Sequence, residues 1–272
     1  MTLHHTFGGS GPPLVLIHGI GSAGYLEWRA NLQPFARSHT VYAPDLPGYG
    51  RSDKPPGERY SIPFFADTIS RYLDEVGLSS TSLAGTSLGG GIALQLALTE
   101  PARLERLVLV CALGLGRPRI NPLYPLMALP GVGELGMRAA AHGLRVAPRD
   151  LVRRVAARLT GTTDDPDRLM TDRYLNDLRE LHHSDGYAAA YLATVRSLFA
   201  GRFDVSSRLG EIDQPVLLIW GTRDPLFPVE HATRAHRLLP SSQLLILEGA
   251  GHTPQAERPQ DFNRAVLDFL GT

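Results

Sequence analysis

Short apolar runs recur along both outer parts of the chain and alternate with segments of helical periodicity. Leu14-Val15-Leu16-Ile17 is continuous in its apolar character and ends at His18-Gly19, a pattern typical of a strand buried on both faces. Similar strands are predicted at residues 40–43, 80–84 and 108–110, and helices at residues 25–37, 62–76 and 88–99. Strands that alternate with helices favour a wound, mostly parallel sheet flanked by helices, which is the α/β class.

The middle of the chain, residues 113–210, has a different pattern. It opens with a Gly- and Pro-containing segment and offers no clear strand candidate. Helices are instead predicted at residues 126–142, 148–160, 165–181 and 186–199. Strand patterns return at residues 215–220 and 244–247, followed by a helix over residues 259–270. We therefore predict a core of residues 1–112 and 211–272 with a helical cap inserted at residues 113–210, and a separate C-terminal domain is the alternative.

Length and charge narrow the class of partner. The chain has 272 residues, with 27 Lys and Arg balanced by 27 Asp and Glu. A net charge of zero gives no reason to expect nucleic acid or an anionic membrane as a partner, which favours a small-molecule substrate. No apolar run approaches the ~18 residues that cross a bilayer. The single cysteine, Cys111, cannot form an internal disulfide, and the N-terminus lacks a signal-peptide pattern, so we expect a cytoplasmic protein.

The pentapeptide Gly85-Thr86-Ser87-Leu88-Gly89 matches the pattern G-x-S-x-G between a predicted strand and a predicted helix. A sharp strand-to-helix turn strains the backbone of the central serine, so the residues two positions away on either side must lack bulk. The turn exposes the Ser87 hydroxyl at a helix N-terminus, where free N–H groups favour developing negative charge. Ser87 is therefore the candidate nucleophile.

With this motif the sequence resembles the α/β-hydrolase family over both outer segments. The resemblance implies the α/β-hydrolase fold with an inserted helical cap, and a hydrolase that needs no cofactor. His18-Gly19 resembles the oxyanion loop of the family, which implies that the amides of Ile20 and Leu88 form an oxyanion hole. The run at residues 45–53 also resembles a family loop, for which we expect a structural role.

A serine nucleophile needs an imidazole to take its proton and a carboxylate to hold that imidazole in the right tautomer. His252 lies in a Gly-rich loop between the last predicted strand and the last predicted helix, and this loop can return over the sheet edge. Asp224 follows the strand at residues 215–220, although an aspartate before Pro225 could also serve only the turn. The end of the strand at 108–110 offers Cys111 and no carboxylate. We predict Ser87, His252 and Asp224 as the catalytic triad.

A second motif supports a rival interpretation. Residues 19–24 satisfy G-x-G-x-x-G after a strand, and Asp45 ends the next strand 21 residues beyond Gly24. This spacing fits a dinucleotide-binding fingerprint and an oxidoreductase. That interpretation leaves the three triad candidates at strand ends as coincidence, so we favour the hydrolase. A non-catalytic ligand receptor on the same scaffold is a further alternative. We found no pattern for a metal or a nucleoside triphosphate, and we expect neither metal nor cofactor.

The expected reaction is two-step acyl transfer to water, with a small, apolar carboxylic ester as the leading substrate. Relatives that cleave carbon–carbon bonds in ring-fission dienone acids often carry Asn before the nucleophile and Trp after the catalytic histidine, whereas Thr86 and Thr253 stand here. That reaction is therefore the alternative, and lactonase or perhydrolase activity stays open. Substrate-binding candidates are Thr86, Leu123, Tyr124 and Met127, although the three cap residues could equally form the core of the cap.

Overall fold

A seven-stranded sheet forms the centre of the protein in the computed structural model, which describes residues 1–119, 123–160 and 165–271. The strands are β1 (His5–Gly8), β2 (Pro13–Ile17), β3 (Thr40–Pro44), β4 (Thr81–Thr86), β5 (Leu104–Val110), β6 (Val216–Gly221) and β7 (Ser242–Leu247). Their order across the sheet is β1-β3-β2-β4-β5-β6-β7. β1 is antiparallel to β3 and every other neighbouring pair is parallel, which confirms the predicted α/β class.

Helices pack against this sheet and fill the stretch between β5 and β6. They are α1 (Gly24–Trp28), α2 (Leu32–Phe35), α3 (Ile62–Glu75), α4 (Leu88–Thr99), α5 (Leu123–Ala128), α6 (Val132–Val146), α7 (Arg149–Thr160), α8 (Pro166–Leu169), α9 (Asp172–His183), α10 (Tyr187–Gly201), α11 (Val229–Leu238), α12 (Pro254–Glu257) and α13 (Pro259–Leu270). None of the helices in the described ranges has both the length and the apolar composition that crossing a membrane requires.

The sheet is buried on both faces. Along β2, Val15 and Ile17 belong to one hydrophobic cluster, whereas Leu14 and Leu16 belong to a second. Because successive side chains of a strand point to opposite faces, the two clusters lie on opposite sides of the sheet. Hydrophobic burial on both faces explains why β2 has a continuous apolar sequence rather than an alternating one.

Several boundaries differ from the sequence expectation. The helix predicted over residues 25–37 is two short helices, α1 and α2, and Pro34 in α2 lacks the N–H that a continuous helix would use. The helix predicted over 126–142 is divided at Gly131, which has a φ of +81° and therefore a left-handed backbone. Strand β1 was not predicted, because its four residues are only partly buried and carry no continuous apolar run.

Residues 113–210 contain α5 to α10 in their described part, and no strand is present in that part. Helix α10 joins the core of the sheet, because Tyr187, Ala190 and Leu192 belong to the same hydrophobic cluster as Val15. The hydroxyl of Tyr49, in the loop after β3, donates a hydrogen bond of 2.9 Å to Thr194 Oγ1 on α10. The assignment of residues 113–210 as an inserted helical cap stays a prediction.

Candidate active site

Ser87 lies in the turn between β4 and α4 with φ +52° and ψ −114°, a conformation that non-glycine residues rarely adopt. The turn is possible because its neighbours are small. A Cβ atom at Gly85 would lie 2.3 Å from the carbonyl oxygen of Gly89, and one at Gly89 would lie 2.3 Å from the carbonyl oxygen of Ile17. The strained backbone therefore depends on both glycines of the G-x-S-x-G pattern.

His252 and Asp224 meet at the carboxyl ends of β7 and β6. The Nδ1 atom of His252 lies 2.8 Å from Oδ2 of Asp224, and both residues are buried. The other carboxylate oxygen, Oδ1 of Asp224, accepts the N–H groups of Leu226 and Phe227 at 2.8 and 3.0 Å. These contacts hold the carboxylate in one orientation and leave Nε2 as the nitrogen of His252 that can exchange a proton with a reacting group.

The pair is electrostatically matched. Burial alone would lower the pKa of His252, but the charge and hydrogen bond of Asp224 outweigh burial and raise it above its ordinary value. Burial alone would raise the pKa of Asp224, yet the charge of His252 and the hydrogen bonds from His252, Phe227 and Leu226 lower it. Asp224 is therefore ionised at neutral pH and stabilises a proton on His252.

Ser87 and His252 line the same pocket, together with Thr86 and Thr253. No hydrogen bond joins the Ser87 hydroxyl to His252 within residues 1–119, 123–160 and 165–271. Hydrogen bonds of this kind are often long in unliganded hydrolases and shorten when substrate binds. The structure thus brings the predicted nucleophile to the pocket of a hydrogen-bonded histidine–aspartate pair.

The loop that carries His252 is held by Glu257 of α12. One carboxylate oxygen of Glu257 accepts the N–H of Gly251 at 2.9 Å, and the other accepts the N–H of Thr253 at 3.1 Å. A buried carboxylate therefore bonds the backbone on both sides of His252 and limits how far the imidazole can move. The sequence analysis missed this residue, because a side chain that bonds a loop backbone leaves no pattern in the sequence.

The loop after β2 is held by His18. Its Nε2 accepts the N–H of Leu46 at 2.9 Å, and its Nδ1 lies 2.7 Å from the carbonyl oxygen of Gly19. Burial lowers the pKa of His18, so the ring is neutral and donates through Nδ1. This arrangement fixes the backbone that leads to Ile20, and Ile20 and Leu88, the first residue of α4, line one pocket together with Ser87.

Two pockets meet at Ser87. The larger has a volume of about 570 Å³ and the smaller, which contains His252, about 240 Å³. Most of the larger pocket is apolar, and its apolar lining is Ile20, Leu88, Leu113, Val195, Leu198, Phe199, Phe203, Leu226 and Phe227. A substrate that spans Ser87 would place one half in each pocket.

The predicted substrate-binding residues fall in different places. Thr86 lines the smaller pocket. Met127 belongs to neither pocket lining and packs against α6, where its Sδ atom lies 2.6 Å from the point that a Cβ at Gly136 would occupy. Leu123 and Tyr124 begin α5, and their side chains lie outside the described residues. Helix α10 of this region lines the larger pocket, whereas single residues of α7, α8 and α9 line the smaller one.

The G-x-G-x-x-G motif at residues 19–24 and the Asp45 that accompanies it have structural roles. Oδ1 of Asp45 accepts the N–H of Gly24 at 2.7 Å, and Oδ2 accepts the N–H of Arg51 at 2.9 Å. A Cβ at Gly24 would lie 2.3 Å from the carbonyl oxygen of Ala43, so this glycine permits close packing against β3. The carboxylate that would bind ribose hydroxyls in a dinucleotide site therefore bonds the protein's own backbone.

Cys111, at the end of β5, is the neighbour of the histidine–aspartate pair. Potential metal-ligating atoms of Cys111, Asp224 and His252 lie within 4.8 Å of one another. Burial raises the pKa of the Cys111 thiol well above its ordinary value, and the charge of Asp224 raises it further. A protonated thiol is a poor metal ligand and a poor nucleophile, so Cys111 serves as a small buried residue at this position.

Comparison with known proteins places this geometry in a family. A sequence profile of the alpha/beta hydrolase fold matches residues 12–259. The chain belongs to the α/β-hydrolase family. Among curated α/β-hydrolase relatives, an uncharacterized protein of Mycobacterium tuberculosis is 36% identical over 97% of this chain and 76% of its own length. The 2-hydroxy-6-oxo-6-phenylhexa-2,4-dienoate hydrolase of Burkholderia cepacia is 29% identical over 98% of this chain and 91% of its own length.

The fold comparison agrees with the profile. The structure of 2-hydroxy-6-oxo-6-phenylhexa-2,4-dienoate hydrolase from a Rhodococcus species superimposes with a TM-score of 0.81, covering 99% of this chain and 95% of that chain at 21% identity. The predicted α/β-hydrolase fold is confirmed. Hydrolase-named relatives that match almost the whole chain also identify this α/β-hydrolase as a hydrolytic enzyme.

Proposed function

We propose that this enzyme is a serine hydrolase in which Ser87 is the nucleophile, His252 the general base and Asp224 the residue that orients the base. The Ser87 Oγ–carbonyl carbon bond forms as His252 accepts the hydroxyl proton. The bond to the leaving group then breaks, and the leaving group takes that proton from His252. Water attacks the acyl-enzyme with His252 again as base, which releases the acid and restores Ser87. The hydrogen bond between His252 and Asp224 carries this proposal.

We propose that the N–H groups of Ile20 and Leu88 stabilise the tetrahedral intermediates of both steps. Leu88 supports this role because the first N–H groups of a helix have no acceptor within the helix. Ile20 supports it because His18 holds its loop beside Ser87. Loss of one such donor typically costs about 10²–10³-fold in rate.

The first candidate substrate is a ring-fission dienone acid, cleaved at the carbon–carbon bond next to its ketone. The relatives support this reaction more directly than ester hydrolysis, because the Burkholderia cepacia enzyme that matches 98% of this chain bears the name of a dienoate hydrolase. A ketone carbon is attacked by Ser87 in the same way as an ester carbon, and the departing carbon takes the proton from His252. The small molecule would span both pockets.

The second candidate substrate is a carboxylic ester. Thr86 and Thr253 line the smaller pocket and occupy the positions beside the nucleophile and the base at which carbon–carbon hydrolases often carry Asn and Trp. An ester needs no added help to expel its leaving group beyond protonation, because an alkoxide departs more readily than a carbanion. Thr86 and Thr253 therefore favour an ester, whose leaving group is an alcohol, as the second candidate.

A labelling experiment tests the shared mechanism. A fluorophosphonate probe is expected to add its mass to the peptide that contains Ser87, and Ser87→Ala is expected to abolish both labelling and p-nitrophenyl ester turnover. Ser52→Ala serves as a control, because Ser52 is a buried serine outside both pocket linings. Full turnover by Ser87→Ala would refute the assignment. Parallel assays with esters, lactones and dienone acids would then rank the substrate classes by kcat/KM.

A further inference from the structure

The smaller pocket contains a carboxylate close to the nucleophile. Glu27 of α1 lines this pocket, and its Oε1 accepts a hydrogen bond of 2.6 Å from Nε2 of the fully buried Gln255. Its Oε2 lies 3.9 Å from the point that a Cβ at Gly19 would occupy, and Cβ of Ser87 lies 3.3 Å from the same point. The Glu27 carboxylate is therefore held beside the position where a bound substrate would react.

The cation of the smaller pocket, Arg29, bonds the protein. Its Nη1 donates to the carbonyl oxygen of Leu26 at 2.6 Å and its Nη2 donates to that of Leu169 at 2.7 Å. Its guanidinium carbon lies 4.3 Å from the centre of the Tyr174 ring, a cation–π distance. These partners are neutral, so Arg29 keeps its charge, but two of its nitrogens and its contact with the ring are already engaged by the protein and not by a ligand.

The larger pocket has the opposite charge. Arg117, Arg119 and Arg202 line it and have exposed side chains. Within the described ranges, no hydrogen bond or ion pair engages their guanidinium groups. The acid of this pocket, Asp204, accepts the N–H and the hydroxyl of Ser206 on Oδ1, and three arginines against this one acid leave the pocket with a net positive charge. An apolar cavity thus carries three arginines whose donors are open to a ligand.

We propose that the two pockets select opposite charges, so that a substrate half bearing a carboxylate lies in the larger pocket and an uncharged half lies beside Glu27. The inference rests on the proposed function, because it requires a substrate that spans Ser87. A carboxylate near the three arginines gains attraction, whereas one near Glu27 is repelled by a charge of the same sign. The substrate class is therefore a monoanion with its charge at one end, such as a half-ester or a keto acid.

Matched esters place a charge at either end of the substrate. The p-nitrophenyl monoester of glutaric acid carries a carboxylate on the acyl side, and p-nitrophenyl pentanoate is its neutral counterpart. The para-carboxyphenyl ester of pentanoic acid carries a carboxylate on the leaving group, and the para-carbamoylphenyl ester is its neutral counterpart. The measured quantity is the ratio of kcat/KM for each charged ester to that for its neutral counterpart, which cancels general effects of a variant on activity.

We expect the arginine variant and the Glu27 variant to affect opposite ends of the substrate. Replacement of Arg117, Arg119 and Arg202 together by Gln is expected to lower the ratio about tenfold for the ester whose carboxylate lies in the larger pocket, a change typical of losing a charge contact. Glu27→Gln is expected to raise the ratio severalfold for the ester whose carboxylate lies in the smaller pocket, because the repelling charge is removed. Arg264→Gln and Glu75→Gln, which remove exposed charges on α13 and α3, are expected to leave both ratios unchanged.

The outcomes separate this inference from the proposed function. Effects of both variants on the same ester, or unchanged ratios in both, would overturn charge selection while the hydrolase mechanism stands. No turnover of any of the four esters by the unmodified protein would overturn the inference alone, because the hydrolase mechanism is judged separately by fluorophosphonate labelling of Ser87. Opposite-end effects support the inference, and the ester that responds to the arginines identifies which half of the substrate occupies the larger pocket.

Discussion

At the scale of single residues, the two oxygens of Asp224 bond different partners. Oδ2 bonds His252, whereas Oδ1 accepts two backbone N–H groups of the following turn. The turn role and the acid role of Asp224, which were alternatives at the level of the sequence, are therefore both present in the structure. One oxygen orients the carboxylate so that the other can hold the imidazole.

Asp224→Asn is expected to lower kcat by about 10³–10⁴-fold, because an amide does not stabilise the imidazolium and can favour the wrong tautomer. The pH profile should also shift. Only neutral His252 can accept a proton, so activity falls as the pH drops through the pKa of His252. Since Asp224 raises that pKa, its removal should move the acid limb to lower pH. Stopped-flow ester hydrolysis across pH would measure both effects, and an acid limb that stays in place would contradict the pairing.

At the scale of elements, the regular parts of the fold were predictable and the short parts were not. Strand β2 and helix α4 follow from continuous apolar runs bounded by glycine, because burial on both faces imposes such runs. Helix α12 has only four residues, and its place depends on Glu257 bonding the preceding loop. A contact between a side chain and a loop backbone leaves no periodic signal, so neither α12 nor the role of Glu257 was predicted.

Two helical glycines should respond in opposite ways to alanine. Gly89→Ala in α4 is expected to destabilise the protein by several kcal/mol, because the new methyl group would meet the carbonyl oxygen of Ile17. Gly143→Ala in α6 has nothing within 4 Å of the new Cβ and is expected to stabilise by about 0.5–1 kcal/mol through helix propensity. Urea unfolding of the two variants measures the difference. Equal losses of stability would contradict the packing described at the elbow.

At the scale of the whole molecule, the sheet core and the inserted helices share hydrophobic contacts. The sequence predicted where the insertion begins and ends from the loss and return of strand patterns. It could not show how the insertion docks, because α10 is apolar over most of its surface and its sequence does not specify which face meets the sheet. The same limit applies to the pocket residues, since the larger pocket is lined chiefly by side chains of loops and α10.

Shared contacts between the insertion and the sheet predict a single cooperative unfolding transition. The buried Trp28 and Trp220 belong to the core on either face of the sheet, so tryptophan fluorescence reports the core. Far-ultraviolet circular dichroism also reports the helices of the insertion. The two signals are expected to have the same urea midpoint. An earlier loss of helical signal would instead show that residues 113–210 unfold as a separate unit.

The hydrogen bond between Tyr49 and Thr194 ties α10 to the loop after β3 and so affects the space that is open to substrate. Both residues are fully buried, so movement of α10 away from the sheet has to break this bond, at a net cost of about 0.5–1.5 kcal/mol. The bond adds to the hydrophobic contacts that hold α10 in place. Because Val195, Leu198 and Phe199 of α10 line the larger pocket, a helix held in this way sets the width of the space that a substrate can occupy.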